Sequence, residues 1–262
     1  MRISLQPAYI LHRRPYRDSS MLLEVLTAEQ GRISLVARGA RRKTRGGSSG
    51  ALLQPFIPLL LSFSGRTDLK NLNATEAAGR PFILQRDRMF SGLYLNELLV
   101  RLLHRYDPHP QIFAAYTATL IALSDSEVSV GGGEGDGERI VVDDILRRFE
   151  FALLGELGYG FELAVDGDSG AAVEPDRWYY YHHDFGLVAR GPVPDSAQVA
   201  FQGADLLAIA ANDFSGGARA TAKRLLRQVL ALHLGDSPLH SRDLFREHAS
   251  ATRRNAGNAQ EE

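Results

Sequence analysis

Short apolar runs, some alternating with polar residues, dominate the first 80 positions: Tyr9-Ile10-Leu11, Met21 to Leu26, and Arg32 to Ala37. Turn and charge clusters separate them, Arg13-Arg14-Pro15-Tyr16-Arg17-Asp18 and Glu29-Gln30-Gly31. That punctuation predicts short strands. Two more are predicted over Pro55–Phe63 and from Leu69 to about Ala77, either side of the Gly65-Arg66-Thr67-Asp68 turn. Between the third and fourth, Gly39 to Gly50 is basic and glycine-rich, has no face to bury, and predicts a mobile loop. Five short strands in about 80 residues predict a small closed barrel, and the OB-fold is the commonest five-stranded solution.

Past Pro81 the apolar period becomes helical. Leu93, Leu95, Leu98, Leu99, Leu102 and Leu103 share one wide face that Asp107-Pro108-His109-Pro110 terminates. Further helices are predicted over Ile112–Leu123, from about Asp143 to Leu157, and over Asp205–Ala211, Ala218–Leu234 and Ser241–His248. Ser124 to Glu138 reads as an acidic, flexible loop. Trp178 to Tyr181 and Gly186 to Ala189, joined through His182-His183-Asp184, predict a small hairpin inserted among the helices. The fold expected is therefore α+β. An OB-fold barrel over 1–80 is followed by a mainly helical domain over 81–250 and a polar, disordered tail over 251–262.

Charge sharpens this division. The formal net charge is −1, yet residues 1–80 hold 13 Lys and Arg against 5 Asp and Glu, whereas residues 81–262 hold 17 against 26. An asymmetry of +8 against −9 implies different partners for the two parts, with phosphate expected on the first. There is no cysteine, which excludes disulfides, thiolate metal sites and a cysteine nucleophile. No secretory leader is evident at the start, and the longest apolar run is too short to cross a bilayer, so a cytoplasmic location is expected.

Enzyme-like fragments fail on their chemistry. Gly167-Asp168-Ser169-Gly170 resembles a serine-protease nucleophile segment but lacks the two-barrel context that delivers histidine and aspartate. Asp166, Asp168 and Gly170 mimic the start of a calcium loop whose closing position is Arg177 instead of glutamate. Lys43-Thr44 is preceded by Arg42 where a Walker loop needs glycine, and Gly131 to Gly137 is too acidic for phosphate. His182 and His183, adjacent on a strand, are expected on opposite faces. Neither a metal, a cofactor nor a catalytic centre is therefore expected.

Two basic constellations remain. Arg38, Arg41, Arg42, Lys43 and Arg45 crowd one loop; Arg13, Arg14 and Arg17 flank Tyr16; Arg66 and Lys70 border the last turn. Connections of a small barrel can converge on one rim and form a cationic groove for phosphates and unstacked bases. In the helical part, Arg147 precedes Phe151 and Leu154 at helical spacing, and Arg224 and Arg227 edge a later helix. Cations beside an apolar face suit an acidic, aromatic-bearing peptide, although arginines edging an amphipathic helix also snorkel without any ligand.

Five strings in order, Gly31 to Arg41, Gly50 to Phe56, Tyr94 to Leu98, Arg147 to Glu150 with Leu157 to Gly160, and Ser241 to Phe245, resemble the RecO family of bacterial recombination mediators over roughly positions 8–247. The resemblance implies binding of single- and double-stranded DNA, annealing of complementary strands, and contacts with RecR. It also implies contact with the acidic C-terminal tail of single-stranded DNA-binding protein (SSB), and RecA loading on SSB-coated strands. That tail is assigned to Arg147, Phe151, Leu154, Arg224 and Arg227. Many relatives carry a four-cysteine zinc site; the matching stretch, Phe161 to Asp176, has none, so this chain looks like the zinc-free branch and its Asp166–Ala172 loop lacks a metal clip. An RNA-binding OB protein, or a nuclease with an unrecognised metal site, are the alternatives.

Overall fold

The computed structural model describes residues 2–44, 47–48, 50–85, 87–125, 142–190, 199–235 and 237–241. The fold is α+β. Strands β1 (Arg2–Tyr16), β2 (Ser20–Thr27), β3 (Gly31–Ala37), β4 (Lys43–Thr44), β5 (Gly47–Ser48), β6 (Leu59–Ser64) and β7 (Leu69–Ala77) come first. Helices α1 (Asp87–Leu102), α2 (Pro110–Asp125) and α3 (Val142–Glu156) follow. Then come β8 (Trp178–His182), β9 (Gly186–Arg190), β10 (Ala200–Gln202), α4 (Gly203–Ala210) and α5 (Gly216–Leu234). The chain packs as two compact units, one holding the barrel, α1, α2 and residues 237–241, the other running from α3 to α5.

The barrel closes in the order β1-β2-β3-β7-β6, with β3 and β7 parallel and the remaining pairs antiparallel. Strand β1 makes closure possible. Its residues Ala8–Tyr16 pair with β2, while Arg2–Ala8 pair with β6. Arg13 and Arg14 were expected in a turn but are ladder residues opposite Leu23 and Leu22. Their exposed charges mimic loop composition although the backbone is paired. Conversely, β6 begins at Leu59 and not at Pro55. Pro55 and Pro58 have no N–H to give a ladder, and Phe56 adopts φ +65. The basic loop contains a two-residue ladder, β4 on β5. Inside, Ile10, Leu23, Val25, Ile33, Leu35, Leu59, Leu61 and Phe63 form the core.

A bulge in β1 docks the helices. Between Ile10 and His12 the register shifts, leaving Leu11 without a partner on β2. Its carbonyl accepts instead from Asn96 Nδ2 of α1 at 3.0 Å, and Asn96 Oδ1 accepts from the Tyr116 hydroxyl of α2 at 2.6 Å. All three residues are buried. Tyr116 also meets Tyr9 edge-on, and burial holds its phenol pKa well above the ordinary value. One residue along α1, Glu97 accepts the amides of His240 and Ser241 and the Ser241 hydroxyl. Burial alone would raise the Glu97 pKa, but these bonds outweigh it and lower it. Arg101 donates to the carbonyls of Ser237 and Pro238, so one face of α1 holds the returning chain.

In the second unit the hairpin is a three-stranded sheet, order β10-β8-β9. Ala200-Phe201-Gln202 is too short to display a period, so β10 was invisible in the sequence. Helices α3 and α5 are joined by Arg219 on Asp144 (2.7 and 3.1 Å) and Lys223 on Asp143 (3.1 Å). The loop after α3 is closed by Asp166, which is buried. Its Oδ1 accepts the amides of Asp168 and Ser169, and its Oδ2 accepts that of Ala189 in β9. Val165 bridges Ala172 across the same turn. Burial by itself would raise the Asp166 pKa; the three backbone donors reverse this and lower it. This carboxylate orders the loop for which no clip was expected.

Asn96→Leu removes the amide that satisfies both Leu11 and Tyr116, and is expected to destabilise the barrel unit by about 1–3 kcal/mol in urea unfolding, with Tyr116→Phe costing less. For Asp166 the folded pKa lies below the unfolded one. Its contribution is therefore complete above the ordinary carboxylate range and lost as pH falls through the lowered folded value. Protection of the Asp168, Ser169 and Ala189 amides against exchange, relative to the intrinsic rate at each pH, should fall over that acidic window. In Asp166→Asn it should be low already at neutral pH, without the acid step.

Candidate nucleic-acid interface

At one end of the barrel the β1–β2 turn, the residues after β3 and the start of β7 enclose a cleft of about 740 Å³. Three local features bring them together. The parallel β3–β7 pairing sets Val36 beside Asn71. The Arg41 amide donates to the Ser19 carbonyl at 3.1 Å, tying the basic loop to the β1–β2 turn. Gly39, at φ +68, makes a tight reversal closed by the Arg42 amide on the Gly39 carbonyl. Arg17, Arg38 and Arg42 consequently line one cavity with Tyr16, Ser19, Ser20, Thr67 and Asn71. Arg17 sits at φ +52 with its guanidinium 5.2 Å from the Tyr16 ring centre.

The other basic residues are distributed differently. Arg41 is exposed and reaches the Asp18 carbonyl at 3.5 Å. Arg13, also exposed, donates to the Leu53 carbonyl at 3.2 Å, and Arg14 and Arg66 are exposed outside the cleft. Lys70 does not line it either. It is 8% exposed, donates to the Thr67 carbonyl at 2.8 Å and lies over the Tyr106 ring, so its charge is used inside the fold. Arg45 and the Lys43 side chain lie outside the described residues. Ser19, Ser20, Thr67 and Asn71 are polar neighbours that the sequence reading missed, since nothing distinguishes them from ordinary turn residues.

The second unit holds a cavity of about 680 Å³ whose apolar lining is Phe151 and Leu154 of α3 with Phe161, Leu163, Ile209 and Phe214, and which Glu162 also lines. Helical spacing from Phe151 and Leu154 points to Arg147 as the cation beside them. Arg147 instead is 7% exposed and paired with fully buried Glu150 at 2.7 Å. The guanidinium on the cavity belongs to Arg148, held by Asn212 Oδ1 at 3.0 Å and set 5.6 Å from the Phe214 ring centre. Consecutive helix positions differ by about 100° in direction, which turns one arginine inward and the next outward. Arg224 and Arg227 are exposed on α5 and do not line this cavity; Arg224 lies over Phe201.

The family model for the N-terminal part of recombination protein O matches residues 1–80, and that for its C-terminal part matches residues 84–243. The chain belongs to the RecO family. It is 44% identical to the DNA repair protein RecO of Methylococcus capsulatus over 246 residues, 94% of either chain. Identity to the same-named protein is 46% for Pseudomonas paraeruginosa over 92% of this chain and 94% of that one. For Nitrosococcus oceani it is 42%, over 94% of each. The role of this RecO-family chain is in DNA repair, and its barrel is of the OB type.

The strings that carry the family likeness have physical work in this fold. Gly31, at φ +64, passes so close to the α1–α2 connection that a Cβ would lie 1.9 Å from the Asp107 carbonyl oxygen. Arg32 bonds Glu24 at 2.8 Å and the Leu103 carbonyl at 3.0 Å. Asn96 and Glu97 hold β1 and residues 240–241 as described. The paired histidines depart from expectation. β8 ends at His182, so the turn brings His183 back to stack with it, and one ligand atom from each of His182, His183 and Asp184 lies within 4.8 Å of the others. His182 Nδ1, however, accepts the Asp184 amide at 3.2 Å, and His183 Nε2 meets Asp184 Oδ2 at 3.0 Å. These groups satisfy one another. No helix among the described residues is long and apolar enough to cross a membrane.

Removing Arg147 leaves the Glu150 charge buried, so Arg147→Ala should cost about 3–5 kcal/mol in denaturant unfolding, whereas Arg148→Ala should change stability little. Comparable losses for the two variants would contradict the inward and outward assignment.

Proposed function

We propose that this chain binds single- and double-stranded DNA through the barrel cleft and anneals complementary strands. With RecR it promotes loading of RecA onto SSB-coated single strands in the cytoplasm, at the nucleoid. The observation that carries this reading is the convergence of Arg17, Arg38 and Arg42 around Tyr16 in a single open cleft. Guanidinium groups neutralise phosphates with little regard to sequence, and a half-buried ring beside them offers a face for an unpaired base. Two strands held on one cationic surface repel each other less, so base pairing itself drives annealing without nucleotide, metal or a catalytic residue. Arg13, Arg14, Arg41 and Arg66 extend the field around the cleft and steer the strands toward it, and Lys43 and Arg45 add to the formal charge of the same stretch of sequence.

The SSB tail, an acidic peptide ending in a phenylalanine carboxylate, is placed in the Phe151–Leu154 cavity with Arg148 as its carboxylate partner in place of Arg147. The rings and aliphatic side chains take up the terminal phenylalanine, and a fixed guanidinium on the rim suits a carboxylate.

The triple variant Arg17→Ala, Arg38→Ala, Arg42→Ala should weaken single-stranded DNA binding across unrelated sequences and lower the slope of log affinity against log salt by about 2. An unchanged slope refutes the cleft. Annealing by the parent chain should survive a chelator. Arg148→Ala should weaken the tail peptide about tenfold or more and impair annealing of SSB-coated strands only. Equal impairment on bare strands removes the tail from this cavity.

A further inference from the structure

A third cavity, of about 310 Å³, lies in the second unit between the stretch after α3, the β8–β9 turn and the end of α5. Its chemistry is the reverse of the barrel cleft. Tyr159, Phe161, Tyr181 and Phe185 contribute rings, Glu162 and Asp184 contribute carboxylates, and among the described residues no lysine or arginine lines it. Tyr159 is 39% exposed and Phe185 51%, and exposed Val165 joins them. Large apolar side chains left in water around one opening mark a surface that another molecule covers. The rings are held in place. Tyr159 lies flat on His233 with centres 3.7 Å apart, and Phe161 meets Tyr181 edge-on at 5.0 Å. Burial lowers the His233 pKa and so favours its neutral form.

Aromatic faces carry negative quadrupole density, and two carboxylates beside them add full charge, so the occupant must be a cation. The same charges repel DNA. A guanidinium fits best among biological cations. It is weakly hydrated, stacks flat on a ring, and donates two parallel hydrogen bonds to a carboxylate. The volume, at the small end of ligand pockets, admits one long side chain rather than a helix. We propose that this cavity is the docking site for an arginine side chain presented by a partner protein. The guanidinium stacks between the exposed faces of Tyr159 and Phe185 and replaces His183 on the Asp184 carboxylate, with Glu162 closing the rim.

The test uses the full chain and two blocked tripeptides, acetyl-Gly-Arg-Gly-amide and its citrulline isostere, which keeps the shape and loses the charge. Ligand-observed NMR should show saturable binding of the arginine peptide, about fivefold or more tighter than the citrulline peptide. The Glu162→Gln, Asp184→Asn double variant and Phe185→Ala should each abolish that preference. All three side chains are exposed, so thermal unfolding and single-stranded DNA binding should stay at the parent level and report an intact fold. Absence of saturable binding, equal affinity for citrulline, or full retention in the double variant overturns the site. Sedimentation across chain concentrations decides the source. A self-association that the double variant dissolves would assign the arginine to a second copy and overturn the partner assignment.

Discussion

A sheet of five strands has no free edge only when the strands at its two ends also pair with each other. Here β1 closes the ring, pairing with β2 along its second half and with β6 along its first. The demand for continuous pairing makes β1 fifteen residues long and forces two register shifts into it. One of these frees the Leu11 carbonyl, and a buried carbonyl needs a donor. Asn96 supplies it, and Tyr116 in turn satisfies Asn96. Closing the barrel therefore creates the polar socket into which α1 and α2 plug. It also sets the β1–β2 turn, the end of β3 and the start of β7 at one rim, where the arginine cleft forms.

The second organising factor is which charges remain after folding has used the others. Arg32 is spent on Glu24 and a helix-end carbonyl, Lys70 on a turn and a ring, and Arg147 on Glu150. On α5, Arg219 and Lys223 are spent on the acidic first turn of α3. What is left sorts the cavities by ligand. The barrel cleft keeps three guanidiniums, the α3 cavity keeps one beside apolar walls and Glu162, and the cavity at the β8–β9 turn, which shares Glu162, keeps carboxylates and rings with no lysine or arginine among the described residues. Formal net charge, near zero for the whole chain, hides this separation entirely.

Much of the architecture was legible before any coordinates. The helical stripe from Leu93 to Leu103 reflects burial on one face and leaves a local record in period 3.6, whereas Ile33 to Ala37 are buried throughout and stand in the sequence as a short apolar run. The barrel, the helices, the charge asymmetry and the family likeness all rest on such records. Less was legible of the sites. The basic loop was recognised as a cluster, but which of its members face one cleft was not, because an exposed arginine and one that lines a rim have the same local sequence.

Element type, core positions and the sign of charge in each part of the chain are set by residues within a few positions of one another and can be read along the chain. The tertiary structure alone decided that Arg13 and Arg14 lie in a strand, that Ala200–Gln202 adds a third strand to the small sheet, and that His183 folds back onto His182. It alone decided that Arg148 and not Arg147 borders the cavity beside Phe151, and that Asp166 ties its loop to β9. In each case the deciding partner lies across a turn, on another strand or on another helix. The energy of a buried charge or an unpaired carbonyl depends on that partner's distance and on exclusion of water, and neither is encoded in neighbouring residues.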